Sequence, residues 1–209
     1  MVKYQNLLIW WLTLSALWGA YRLFPFPEFL SEIVAKPVIW LGITLFFFWK
    51  KLIPLDTIKD FKENYTQTKP TWKVFLLPAL FIFVYFFTIN FRQIKIPEFS
   101  LLLVIVTLII NFSTGLVEEI IYRGILYVWL LRKTDEVTAF LFVQVLFLLA
   151  HVPTLVINSK SLSAAMVQAF FILLLGALHT LVFRFTKSIY ASTLTHGVWN
   201  SLVYYLLLS

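Results

Sequence analysis

The stretch Gly115-Leu116-Val117-Glu118-Glu119-Ile120-Ile121-Tyr122-Arg123-Gly124 decides how this chain folds. Two adjacent carboxylates and a guanidinium lie between two oily runs, Leu101 to Ile110 before them and Ile125 to Leu131 after. On a helix that crosses a bilayer, each such charge costs about 2.5–3.5 kcal/mol at the helix centre on insertion scales. Three together demand compensating partners from elsewhere in the chain. An ionisable cluster at membrane depth reads first as a functional site.

Composition supports the membrane reading. Of the 209 residues, 61% are hydrophobic, and the mean hydropathy is +0.88. A soluble domain holds about 45–50% apolar residues. The chain therefore reads as an integral membrane protein. Its 22 Phe and 8 Trp suit lipid-facing and interfacial surfaces. The absence of cysteine excludes a disulfide framework, a thiolate nucleophile and a zinc–thiolate site. The net charge of +7 comes from Lys and Arg placed between apolar runs. That placement fits positive-inside topology and anionic lipid headgroups, not nucleic acid. The first apolar stretch is long, Trp-rich and lacks a small-residue cleavage site, so it reads as a span and not as a signal peptide.

About seven segments approach the roughly 20 residues that a membrane helix needs. They run from about Asn6 to Phe24, Ala35 to Ile53, Trp72 to Phe91, Phe99 to Leu131, Val137 to His151, Ser163 to Phe185 and Ile189 to Leu208. Pro25 and Pro27 end the first, and Pro153 is expected to stop the fifth. The fourth is too long for a perpendicular span, so it is either one tilted helix or a helix broken near Ser113, Thr114 and Gly115. Between the second and third lies the polar stretch Leu55 to Thr71. There Leu55, Ile58 and Phe61 recur at helical spacing and predict a short amphipathic helix at the membrane surface. The expected fold class is all-α, a polytopic membrane bundle of about seven helices enclosing an intramembrane polar cavity. Residues 1–97 form its N-terminal helices with a basic cytoplasmic loop, and 98–209 form the core that carries the chemistry.

Loop charges set the orientation. With the Leu55–Thr71 loop inside, the cytoplasmic face receives Lys3, Lys50, Lys51, Lys59, Lys62, Lys69, Lys73, Arg132, Lys133, Arg184 and Lys187. The opposite face receives Arg22, Lys36, Arg92, Lys95 and Lys160. This bias predicts a cytoplasmic N-terminus and a C-terminus on the other side of the cell membrane.

The polar residues within the spans are the candidate site. At about 1.5 Å of rise per residue, Glu118 lies roughly 20 Å from the Leu131 end of its segment and His151 roughly 21 Å from Val137. His196 and Asn200 lie roughly 10 and 16 Å from Ile189, so tilt can bring all four into one layer. Residues four apart share a helix face. Glu119 and Arg123 can therefore neutralise each other, and Glu118, turned about 100° away, is left without that partner. His196 and Asn200 repeat the spacing, as do Phe147 and His151. A buried carboxylate with a neighbouring imidazole suits general-base work on water. A second His with an Asn amide suits an oxyanion. The same Glu118, His151 and His196 also suit a catalytic zinc with an open position. His179 reads as a core or cavity-lining residue. Gln144, Gln168 and Asn111 read as packing groups, and Gly115, Gly124 and Gly176 as points of close helix approach.

Three motifs carry a resemblance. Glu118-Glu119-x-x-x-Arg123, Phe147-x-x-x-His151 and His196-x-x-x-Asn200, in that order and each in an apolar segment, resemble the CPBP intramembrane proteases, also called the Abi or CAAX-protease-like family. That family includes the type II CAAX prenyl endopeptidases and bacteriocin self-immunity proteins. The resemblance covers roughly Leu101 to Leu207 and makes 98–209 a CPBP/Abi-like protease core. It implies that Glu118 and His151 activate water and that His196 and Asn200 form the oxyanion hole. Glu119, Arg123 and Phe147 would then be supporting residues. The implied enzyme is an intramembrane endopeptidase of glutamic type with no cofactor. Its implied partners are a peptide or protein substrate, with or without a lipid modification, and membrane lipids. Three alternatives stay open: a zinc-dependent version with Glu118, His151 and His196 as metal ligands, a non-catalytic immunity or scaffold protein of the same fold, and a proton-coupled transporter.

Overall fold

Backbone N–H and C=O groups in hydrocarbon must be satisfied within their own segment, which leaves helices for these apolar runs. The computed structural model describes residues 4–68, 72–86, 100–159 and 161–204. Among them the fold is all-helical. The helices are α1 (Tyr4–Arg22), α2 (Glu28–Trp49), α3 (Leu55–Asn64), α4 (Leu76–Val84), α5 (Leu101–Leu131), α6 (Glu136–Asn158), α7 (Leu162–Thr186) and α8 (Ile189–Val203). By length and composition, Glu28–Trp49, Leu101–Leu131, Glu136–Ile157 and Leu162–Thr186 can cross a membrane. The far ends of the expected third and seventh segments, 87–91 and 205–208, lie outside the described residues, as do Lys3, Lys69, Arg92, Lys95 and Lys160.

Two expectations about helix ends are corrected, and one open alternative is decided. The second segment starts at Glu28, behind Pro27, and not at Ala35. Pro37 has no N–H to offer, and the turn before it widens into a π stretch, Ser31–Ala35, in which Lys36 N–H reaches Ser31 O. This earlier start puts Glu32 and Lys36 on a membrane helix, and both are buried. Lys36 is thus no loop charge. The fourth segment is unbroken at Ser113–Gly115. It runs 31 residues, or roughly 46 Å, and widens into a π stretch only at Ile120–Tyr127. The fifth segment continues through Pro153 to Asn158. The proline ring packs towards Gly19 of α1, where a Cβ would stand 3.7 Å from Pro153 Cγ.

The short helix expected over this stretch is present as α3, with Leu55 and Ile58 exposed and Phe61 against Gly124 of α5. Arg132 at the end of α5 pairs with Asp60. After α3, Gln67 N–H donates to Lys187 O and Ile189 N–H to Tyr65 O, which ties the α7–α8 turn to this loop. The core gathers around α5, where Ile121, Leu126, Tyr127 and Trp129 are buried with Trp10 of α1 and Phe183 of α7.

The contact that positions the site is α5 against α8. Gly115 faces Gly197, and a Cβ on Gly115 would lie 3.4 Å from Gly197 N. A Cβ on Gly197 would lie 2.8 Å from the Phe112 ring. At Gly197 a side chain would have to displace that ring, and the approach carries Glu118 and Glu119 to His196.

Candidate functional site

Glu118 and Glu119 are the last residues of regular α-helix before the π stretch of α5. Their side chains diverge. Glu119 is wholly buried, and its Oε1 accepts from Arg123 NH1 at 2.9 Å along the same helix. Each nitrogen of the guanidinium has a partner. Its Nε donates to Thr180 Oγ1 at 3.2 Å and its NH2 to Gly176 O at 2.8 Å, both on α7. Gln144 of α6 donates to the same Thr180 hydroxyl. One arginine thereby fastens α5 to α7, and Thr180 brings in α6. The Phe147 ring covers its Cζ at 4.8 Å.

Glu118 is not left without a cation. Lys36 Nζ of α2 donates to its Oε1 at 2.8 Å and lies 2.5 Å from Glu32 Oε2. Glu32 Oε2 also accepts from Thr114 Oγ1 at 2.7 Å. Its other oxygen is 3.7 Å from Arg22 NH1, which bonds Glu28 at 3.0 Å. The faces of Trp18 and Trp40 flank the ammonium at 5.1 and 5.5 Å. Glu32 and Lys36 were missing from the sequence-derived site. Their signal was present, since they repeat the four-residue spacing of Glu119 and Arg123 beside an apolar run.

His196 stands between the two carboxylates. Its Nδ1 is 2.8 Å from Glu119 Oε1 and its Nε2 is 3.6 Å from Glu118 Oε2. The His179 ring stacks on it, with centroids 4.5 Å apart and planes 16° off parallel. His151 Nδ1 contacts Phe147 O at 2.8 Å. A carbonyl can only accept, so Nδ1 carries the proton and Nε2 is the open nitrogen. Phe147 supports the imidazole with its ring as well, 4.6 Å away.

Glu118 and His151 line one cavity of about 170 Å³, together with Lys36, Glu32, Trp18 and Trp40. Asn200 lines an adjoining cavity of about 370 Å³ that shares Glu28 and Glu32 as walls. The structure thus gathers Glu118, His151 and His196 around one carboxylate and sets Asn200 one helical turn beyond His196. The ligand-type side chains that converge among the described residues are Glu119, His179 and His196, with donor atoms within 4.8 Å of one another. Glu119 Oε2 and His179 Nδ1 have no hydrogen-bond partner there, and the Arg123 guanidinium already sits on Glu119 Oε1. In the set Glu118, His151 and His196, the Lys36 ammonium likewise sits on Glu118 Oε1.

No curated protein and no solved structure matches the chain. Residues 99–202 do match the family model described as type II CAAX prenyl endopeptidase Rce1-like, over a span that holds all three polar motifs. With those motifs folded around one buried carboxylate, the chain belongs to the type II CAAX prenyl endopeptidase Rce1-like family.

Proposed function

We propose that the protein is an intramembrane endopeptidase that uses water activated by Glu118 and His151. The observation that carries this reading is the shared cavity: a carboxylate and an imidazole line one space inside an apolar bundle. Glu118 takes a proton from water as the water oxygen bonds to the scissile carbonyl carbon. His151, its Nδ1 held by Phe147 O, presents Nε2 for the proton traffic. His196 and Asn200, one turn apart on α8, supply donors to the oxyanion. The carbon–nitrogen bond then breaks, and the proton passes to the leaving amine. Glu119, Arg123 and Phe147 hold this arrangement.

The reaction is read as metal-free, because Lys36 and Arg123 already neutralise the two carboxylates. The substrate is a peptide or protein that reaches the cavity from the membrane, with or without a lipid anchor. Residues 98–209 carry the family's machinery, the N-terminus is cytoplasmic and the host bilayer is the cell membrane. Loop charge supports that orientation. The test is cleavage of a prenylated C-terminal peptide by the purified protein in liposomes. Glu118→Gln is expected to abolish cleavage while helicity and thermal unfolding stay intact. Undiminished cleavage by that variant would sink the proposal.

A further inference from the structure

The Glu28–Trp49 helix lies outside residues 99–202, yet it delivers a charged side chain to the reacting carboxylate. We infer that Lys36, with Glu32 behind it, is a positioning residue of the site: its ammonium occupies Oε1 of Glu118 and so reserves Oε2 for the proton of the attacking water. The inference rests on the peptidase reading of Glu118.

The bonding supports more than neutralisation. Lys36 already has a partner on its own helix, Glu32, one turn earlier at 2.5 Å. Glu32 in turn is held by Thr114 and faced by Arg22. That pair would balance without Glu118. Among the described residues Glu118, in contrast, has no second Lys or Arg within ion-pair distance, since Arg123 bonds Glu119, Thr180 and Gly176. Both Lys36 and Glu118 are nearly excluded from solvent, at 4% and 5% exposure. A fixed ammonium at that depth sets the carboxylate's rotation. With Oε1 bonded to Lys36, Oε2 is the oxygen that points to His196 Nε2, 3.6 Å away. That gap is too long for a hydrogen bond.

In the step itself, the water oxygen bonds to the carbonyl carbon and one water proton moves to Glu118 Oε2. The carbon–nitrogen bond breaks, and that proton goes to the departing nitrogen. Lys36 keeps its three protons throughout. Its contribution is orientation, for which a misplacement of about 1 Å costs on the order of 100-fold in rate.

The experiment compares Lys36→Met, Lys36→Arg and the double variant Glu32→Gln/Lys36→Met in liposomes, with kcat, KM and thermal unfolding as readouts. Lys36→Met is expected to lower kcat on the order of 100-fold with KM little changed. Lys36→Arg is expected to recover about tenfold of that loss, since it restores a donor to Oε1. The double variant keeps the buried net charge of the native site, because one cation and one carboxylate leave together. It is expected to unfold near the native temperature and yet remain as slow as Lys36→Met. Recovery of kcat in the double variant would make Lys36 a charge balancer only and overturn the inference. So would native kcat in Lys36→Met. If Glu118→Gln is inactive while Lys36→Met is fully active, this inference alone fails. If Glu118→Gln is active, the peptidase reading itself fails.

Discussion

Lys36 Nζ donates to Glu118 Oε1 at 2.8 Å, across 82 positions of sequence. It is the middle link of an alternating series that runs Glu28, Arg22, Glu32, Lys36, Glu118, then through His196 to Glu119 and Arg123. The series begins half-exposed at Glu28 and ends fully buried at Arg123. Each charge has an opposite neighbour, which is how the bundle tolerates them at depth.

The buried end of the series should be the more costly to break. Arg123→Met leaves Glu119 buried without its cation, and such a loss costs about 3–5 kcal/mol. Removing both partners in Glu119→Gln/Arg123→Met is expected to restore most of it. Thermal unfolding in detergent checks both. The exposed pair Arg132–Asp60 is the control: Arg132→Ala is expected to cost about 1 kcal/mol or less.

The α5–α8 crossing is expected to reject a methyl group. Gly197→Ala sets a Cβ 2.8 Å from the Phe112 ring. Overpacking of this kind costs about 1–3 kcal/mol. It also pushes His196 away from both glutamates, so kcat falls along with the unfolding temperature. Adding Phe112→Leu should relieve the clash and return part of each. If Gly197→Ala is neutral in both measurements, the close approach is not needed.

Asn200 tests the oxyanion role. Asn200→Ala is expected to reduce kcat by about 10²–10³-fold, the usual loss for one preorganised donor, with KM little changed. A change confined to KM would instead place Asn200 in substrate binding.

Metal dependence gives an independent check. Cleavage by the purified protein is expected to survive prolonged chelation, and elemental analysis should find no stoichiometric zinc. Loss of activity on chelation with recovery on adding zinc would reverse the metal-free reading.

What the sequence revealed depended on distance along the chain. The Glu119–Arg123 pair is local, one turn of one helix, so spacing alone exposes it. That Glu118, His151 and His196 could meet was open to the same reasoning, because rise per residue is a constant. Lys36 was not, because its partnership with Glu118 exists only once α2 packs on α5. The helix ends failed through proline. Pro153 looked like a stop, and Ala35, two residues before Pro37, like a start. In these helices a proline's missing hydrogen bond is absorbed by a widened turn at Ser31–Ala35, and its ring can pack against a glycine, as Pro153 does towards Gly19. Residues 28 to 34 then moved from loop to helix, and Lys36, expected at the outer end of its segment, moved into the helix interior.

The two intrahelical pairs also bear on how the protein is made. Glu32–Lys36 and Glu119–Arg123 each balance within a single helix, so α2 and α5 can enter the bilayer one at a time with those charges already matched. Glu118 is the remainder. Its carboxylate acquires a cation only when α5, emerging later from the ribosome, docks on an α2 already in place. Biogenesis and the candidate site therefore meet at one contact: the docking of α5 on α2 matches the last of these charges and fixes the carboxylate around which α6 and α8 later close.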